Sequence, residues 1–216
     1  MAQILNNADY VICLNSAVAA DLEQAGVERT KIKIYHLASD PEMFTAHERR
    51  TKAPFTVGLS MRYYKRKNAE LLLDIVKNMP DVRFMMLGVR WEKFSRFEEL
   101  CRLNNFEYHE DIEYSKYPSM YHQMDVFLST SLLEGGPVPL LEAMLSNVVP
   151  VVSNTGFAND IIIHGENGYI FDVNEKVDVV CQLIRNAFKV RNDVRQYVVD
   201  YSWKAYASKI EALFDT

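Results

Sequence analysis

Short β-branched or apolar runs alternate along the chain with longer amphipathic ones, and Gly, Pro and polar clusters separate them. YVICLN (10–15) predicts a strand, and SAVAADLEQAG (16–26) predicts a helix with Ser16 at its N-cap and Gly26 at its stop. KIKIYHLA (31–38) predicts a second strand, followed by a polar, irregular connector over 39–54. From there the alternation is regular. FTVGLS (55–60) leads to a helix over 67–79, VRFMMLG (82–88) to one over 91–104, and FEYHE (106–110) to a short one near 117–123. DVFLSTS (125–131) leads to a helix that starts at Pro137 and Pro139, VVPVVSN (148–154) to one over 157–164, and GYIF (168–171) to one over 175–190. A last helix is expected over 194–214.

VRFMMLG, DVFLSTS and VVPVVSN are nearly continuous apolar runs, which suits strands covered on both faces. With helices between them, the pattern predicts an α/β fold: a doubly wound, Rossmann-like parallel sheet with right-handed crossovers. Such sheets bind ligands beyond the carboxyl ends of their strands, so chemistry is expected in the loops after residues 60, 88, 110 and 131.

Composition narrows the classes. The 216 residues are 49% hydrophobic and 25% charged, enough for a substantial core. A net charge of −5 argues against nucleic acid as a partner. Cys13, Cys101 and Cys181 are far apart and odd in number, which reads as reduced, buried thiols in a cytoplasmic protein. No apolar run approaches the roughly 18–20 residues needed to span a bilayer. The opening MAQILNNADYVICLNS lacks the basic start and small-residue cleavage site of a secretory leader.

The loop after DVFLSTS carries the most unusual residues. In EGGPVPLLE, Glu134 and Glu142 stand eight positions apart around Gly135, Gly136 and two prolines. The glycines let backbone approach a ligand, and free amides at a helix N-terminus favour an anion. The spacing fits neither a phosphate-binding P-loop nor the dinucleotide fingerprint. Glu142 lies among Leu140, Leu141, Ala143, Met144 and Leu145. An unpaired carboxylate there costs on the order of several kcal/mol. It needs hydrogen-bond donors, and a ribose diol supplies two. The plainer alternative has Glu134 capping the helix and Glu142 paired with Arg or Lys. A hydrolase carboxylate pair is a further alternative.

The stretch SLLEGGPVPLLEAMLSNVVPVVSNTGFANDIIIHGENGYIF resembles the signature of the retaining GT-B glycosyltransferases of the family 4 type, continuously over about forty residues. YSWKAYASKIEALF (201–214) resembles the closing Ser-Trp helix of the same family. The resemblance implies the C-terminal half of such an enzyme. Residues 1–40 would be the end of a preceding domain and the interdomain linker, 41–193 the nucleotide-sugar-binding domain, and 194–216 the closing helix. It implies that Glu134 meets the donor sugar, that Gly135, Gly136, Pro137 and Val138 form a backbone cradle for sugar and distal phosphate, and that Glu142 holds the ribose. The family usually has an aromatic between its glycine pair; this chain has EGGP.

A diphosphate requires positive charge, and SMRYYKRKN (60–68) supplies it in a strand–helix loop. The family's clamp is an Arg and a Lys five positions apart, which Arg62 and Lys67 reproduce; Lys65 or Arg66 are substitutes, because Gly58 is followed by Leu59. The resemblance places the base near the loop after FEYHE, where Glu110 or Asp111 would accept from it. The five histidines show no metal-ligand spacing, so no metal and no cofactor are expected besides the donor. Trp91 and Trp203 are expected to pack on helices, with Trp91 at the edge of the donor cleft. The partners implied are a nucleotide sugar, a glycan, lipid or small-molecule acceptor, an acceptor domain preceding residue 1 in cis or in trans, and a peripheral membrane contact. A non-catalytic binding module on the same fold is the runner-up.

Overall fold

A computed structural model describes residues 2–214; Met1 and the end of the closing segment, 215–216, lie outside the described residues. In chain order, α1 (Ala2–Leu5), β1 (Val11–Cys13), α2 (Ser16–Gln24) and β2 (Ile32–Ile34) come first. There follow β3 (Thr56–Arg62), α3 (Ala69–Asn78), β4 (Arg83–Val89), α4 (Phe97–Cys101) and β5 (Phe106–Glu110). Then come α5 (Tyr117–Tyr121), β6 (Val126–Ser129), α6 (Val138–Leu145), β7 (Val149–Ser153) and α7 (Ala158–Ile161). β8 (Tyr169–Phe171), α8 (Val177–Ala187) and α9 (Trp203–Glu211) complete the chain.

Six strands form one parallel sheet in the order β5-β4-β3-β6-β7-β8. This is the expected doubly wound architecture. The chain starts at β3, adds β4 and β5 on one side, then returns to add β6, β7 and β8 on the other. β3 and β6 are therefore neighbours whose following segments leave in opposite directions, and the crevice beyond their carboxyl ends is the switch point. The motif SMRYYKRKN ends β3 with its first three residues and continues into the following loop, and the loop after β6 carries EGGP, so the topology brings together two motifs about seventy residues apart.

The continuous apolar strands are explained by burial on both faces: Thr56 to Met61 of β3 and all of β7 are buried. Helices cover them with apolar stripes, such as Leu72, Leu73, Ile75 and Val76 of α3 and Val180, Cys181, Ile184 and Ala187 of α8. Fully burying each large side chain contributes about 1.5–3 kcal/mol. β1 and β2 form a separate two-stranded parallel sheet over a small cluster of Cys13, Ala19, Val27 and Ile32.

Several local expectations are corrected. Cys13 and Cys181 are buried as expected, but Cys101, in the last turn of α4, is exposed. The N-cap of α2 is Asn15, not Ser16: its backbone is extended and its side chain accepts from Val18 N at 2.8 Å. Ser16 instead bonds Asp160. The helix expected over 91–104 is a 3₁₀ turn at Trp91–Lys93 followed by α4, because Arg90 takes a left-handed conformation (φ 65°) and the turn drives Trp91 and Phe94 into the core. Trp91 is fully buried with Nε1 donating to Met61 O at 3.1 Å, so it lies beneath the sheet end and does not border a cleft. The last helix is also split, into a 3₁₀ turn at Arg195–Tyr197 and α9, where Ser202 caps the new start by accepting from Ala205 N at 3.1 Å. Trp203 is half exposed, touching Tyr206 edge-on.

The connector between β2 and β3 is tied down by a histidine pair. His47 and His122 stack at 5.0 Å, His47 Nδ1 bonding Ser146 O at 2.6 Å and His122 Nε2 bonding Thr45 O at 2.8 Å. Burial pulls the His47 imidazole below its ordinary value; the Ser146 carbonyl opposes this in part and His122 reinforces it. A histidine with a depressed folded pKa is protonated more readily in the unfolded chain. Its contribution is intact above about pH 6.5 and is lost as pH falls below that. Melting temperature measured by calorimetry should therefore decline between about pH 7.5 and 5.5, and His47→Asn should decline less. Parallel slopes for the two proteins would assign the decline elsewhere.

Candidate functional site

The loops after β3 and β6 are stitched together by backbone. Leu132 N donates to Arg66 O at 2.7 Å, and Thr130 Oγ1 donates to Lys67 O at 2.8 Å. Asn68 takes the left-handed conformation (φ 52°) that turns the chain from the 3₁₀ turn Lys65–Lys67 into α3. With the loops so fixed, two cations converge on one carboxylate. Lys67 Nζ donates to Glu134 Oε1, and Arg66 Nη1 donates to Glu134 Oε2 at 2.9 Å and to Leu133 O at 2.5 Å. Glu134 is only 9% exposed. Burial alone would push its carboxyl up, but hydrogen bonds from Lys67, Ser131 and Arg66 together outweigh it and hold the group below its ordinary value. Glu134 is therefore anionic at neutral pH, and it neutralises positive charge that is held at the switch point.

Arg62 stands apart. It ends β3 in register with Val89, is exposed, and has no side-chain partner among the described residues. The cations brought onto Glu134 are thus Arg66 and Lys67, with Arg62 a free charge at the same strand end.

The glycine turn presents backbone. Among the described residues, the amides of Gly135, Gly136 and Val138 donate to nothing, while Leu140 N is used by Pro137 O at 2.9 Å. Pro137 is the N-cap of α6 and makes no side-chain cap, so Glu134 is not a helix cap. Pro137 also lacks an N–H, so it shapes the cradle without donating. Three unpaired amides remain at the positive end of an eight-residue helix, which suits an anion. Gly136 is closely packed. A Cβ there would lie 3.0 Å from the Phe157 ring and 3.1 Å from Leu37, so a side chain at this position requires those two residues to give way.

Glu142 is 3% exposed and faces neither Arg nor Lys. Tyr114 Oη donates to Oε1 at 2.8 Å and Tyr121 Oη donates to Oε2 at 2.9 Å. Burial pushes its carboxyl above the ordinary value, and the two tyrosines pull it back only in part. Tyr121 is fully buried on α5, whereas Tyr114 is half exposed on the turn before it. A hydroxyl-bearing ligand reaching Glu142 thus meets a carboxylate already oriented by a buried donor on one side and a solvent-facing donor on the other. Tyr114, Tyr117 and Tyr121 recur at three and four residues, a spacing that places them on one face of the segment and is the signal the sequence reading passed over.

Asp111 is exposed in a left-handed conformation (φ 49°) just past β5, and its charge is felt by Tyr117, which in turn feels Glu142. It therefore lies within electrostatic reach of the same tyrosine cluster. Glu110 is exposed at the end of β5. Among the described residues, no three His, Cys, Asp or Glu side chains converge as a metal site would need. No helix there is long and apolar enough to cross a membrane.

Residues 41–204 match the family model described as Glycosyl transferases group 1. Among curated proteins, the chain resembles one of the subunits of phosphatidylinositol N-acetylglucosaminyltransferase from Arabidopsis thaliana. The two are 22% identical over 229 residues, covering 98% of this chain and 50% of that protein. The chain is 22% identical over 236 residues to an uncharacterized glycosyltransferase of Methanocaldococcus jannaschii, covering 98% and 59%. It thus spans about half the length of the curated relatives it matches. Among solved structures, sucrose-phosphate synthase from Thermosynechococcus elongatus superposes with a TM-score of 0.84 at 18% identity, over 99% of this chain and 59% of that one. HepE of Anabaena in complex with UDP-glucose superposes with a TM-score of 0.77 at 18% identity, over 99% and 66%. These likenesses show the fold.

Proposed function

The chain belongs to the glycosyl transferases group 1 family, and from that premise we propose that it is the donor-binding half of an enzyme that transfers a glycosyl group from a nucleoside-diphosphate sugar with retention of configuration. The observation that carries this reading is the row of unpaired amides at Gly135, Gly136 and Val138, set between a cation-paired carboxylate, Glu134, and a buried, tyrosine-bound one, Glu142. Glu134, with its cations, faces the sugar; the amides take the distal phosphate; Glu142 takes the ribose hydroxyls. Lys67 and Arg62 clamp the diphosphate as it leaves, with Arg66 sharing the load. Asp111 and the tyrosine cluster border the base. Rate enhancement in this scheme comes from positioning and from charge stabilisation of the leaving group, and it uses no metal or cofactor.

The same reading gives the donor lobe residues 41–193, with the first forty residues and the segment from 194 linking it to an acceptor domain in cis or in trans. The acceptor is a glycan, lipid or small molecule, and the reaction is cytoplasmic, with a peripheral membrane contact. The complex of HepE with UDP-glucose supports a nucleotide-sugar donor on this fold. A thermal-shift panel of UDP-, GDP- and ADP-sugars tests the proposal. At about a hundredfold excess over Kd, a true donor stabilises the protein by about 2.7 kcal/mol. A panel that leaves the melting temperature unmoved would remove the donor reading.

A further inference from the structure

We propose that Asn15, the N-cap of α2 just past the small N-terminal sheet, is a positioning residue for the glycine turn: it sets the direction in which the Gly136 amide points. The inference rests on the donor reading above and adds to it a residue 120 positions away in the chain.

Asn15 is 2% exposed and both ends of its amide are used. Oδ1 accepts from Val18 N at 2.8 Å and caps α2, while Nδ2 donates to Gly135 O at 2.9 Å. A trans peptide is planar, with its C=O and the next N–H pointing in opposite directions. Holding Gly135 O toward Asn15 therefore aims Gly136 N–H away from it. That amide has no acceptor among the described residues. A glycine pair has wide backbone freedom, so without an outside hold this peptide plane would sample several orientations.

The rest of the N-terminal unit is arranged to keep Asn15 in place. Ser16 N donates to Asp160 Oδ2 at 2.8 Å, Ser16 Oγ donates to Asp160 Oδ1, and His36 Nε2 lies 2.9 Å from Asp160 Oδ2. The His36 ring packs edge-on against Phe157 and Tyr201. Leu14 and Leu37 lie against the positions a Cβ would take on Gly135 and Gly136. Gly156 (φ 59°) closes the other side: a Cβ there would come within 3.0 Å of Gly135 O, so only glycine leaves the carbonyl open to Asn15. The back of the turn is thus held by residues from both units, and its free amides are left to the front.

The expected consequence is selective. Asn15→Asp keeps an oxygen to cap α2 but sets an anionic oxygen against Gly135 O, turning the peptide away. Calorimetric titration of the full chain with UDP, GDP and ADP identifies the diphosphate it binds; the matching monophosphate and nucleoside are then compared. N15D should lose about tenfold in affinity for the diphosphate and keep its affinity for the monophosphate and nucleoside, with a melting temperature close to the parent's. Asn15→Ser, which also retains a capping oxygen, gives the same selective loss if N15D fails to fold. Equal affinities for all three ligands, or an equal loss on all three, would overturn the role of Asn15 while leaving the donor reading intact. A parent chain that binds no diphosphate would overturn both.

Discussion

Glu142→Ala should lower affinity for the nucleoside diphosphate by about ten- to a hundredfold and lower affinity for the bare nucleoside by the same factor. The equality follows from the place given to Glu142, on the ribose, which both ligands share. The change also takes away the best acceptor of the buried Tyr121 Oη, leaving the Pro139 carbonyl at 3.5 Å and the Ser60 hydroxyl nearby, so the protein should lose stability as well. Leaving a buried donor unsatisfied costs about 1–3 kcal/mol. Glu142→Gln separates the two effects. It keeps an acceptor for one tyrosine and nearly the same volume, so its melting temperature should stay near the parent's while its ligand affinities fall. Calorimetric titration of both variants with diphosphate and nucleoside checks this. Affinities equal to the parent's would refute the ribose assignment.

Lys67→Ala should produce the opposite selectivity: a loss of about tenfold or more for the diphosphate and little change for the nucleoside. Lys67 sits at the switch point on Glu134, the carboxylate assigned to the sugar, away from the groups assigned to the ribose. Its removal leaves Glu134 with Arg66 as its one remaining cation among the described residues and draws the Glu134 carboxyl up toward its ordinary value. An anionic phosphate would then approach a carboxylate that is less well neutralised. The same titrations read the result. Equal losses for diphosphate and nucleoside would show that Lys67 supports the fold of the site and not the phosphate.

These two residues differ in how far their surroundings were legible beforehand. β5 at 106–110 coincides with its predicted run, and a parallel sheet covered on both faces follows from strands too apolar to face water on either side, although the order of its strands does not. The burial of Glu142 was readable because its neighbours in sequence are all apolar. Its partners were not. Tyr121 reaches it through the packing of α5 on α6, a contact that local periodicity hints at but cannot orient. The Lys67–Glu134 pair depends on β3 and β6 being neighbours, which only the sheet order decides. Arg66 joins it because the 3₁₀ turn at 65–67 rotates that side chain inward, where the five-residue spacing favours Arg62. Asn15 was hidden twice: Ser16 looked the better cap, and its second partner, Gly135, lies in another unit of the chain.

The long helices expected at 91–104 and 194–214 failed for a common reason. Each contains residues whose burial needs a turn and not a continuous face: Trp91 and Phe94 in the first, Val194 and Val198 in the second. Tertiary packing overrode helical propensity at both places.

The central claim is that the crevice beyond β3 and β6 binds a nucleoside diphosphate and its sugar. Isothermal titration of the 216-residue chain with UDP, GDP and ADP and with their glucose conjugates tests it most directly. Saturable one-to-one binding of at least one diphosphate and of its sugar conjugate is expected, weakened by Glu142→Gln. A folded protein that takes up none of these ligands would contradict it.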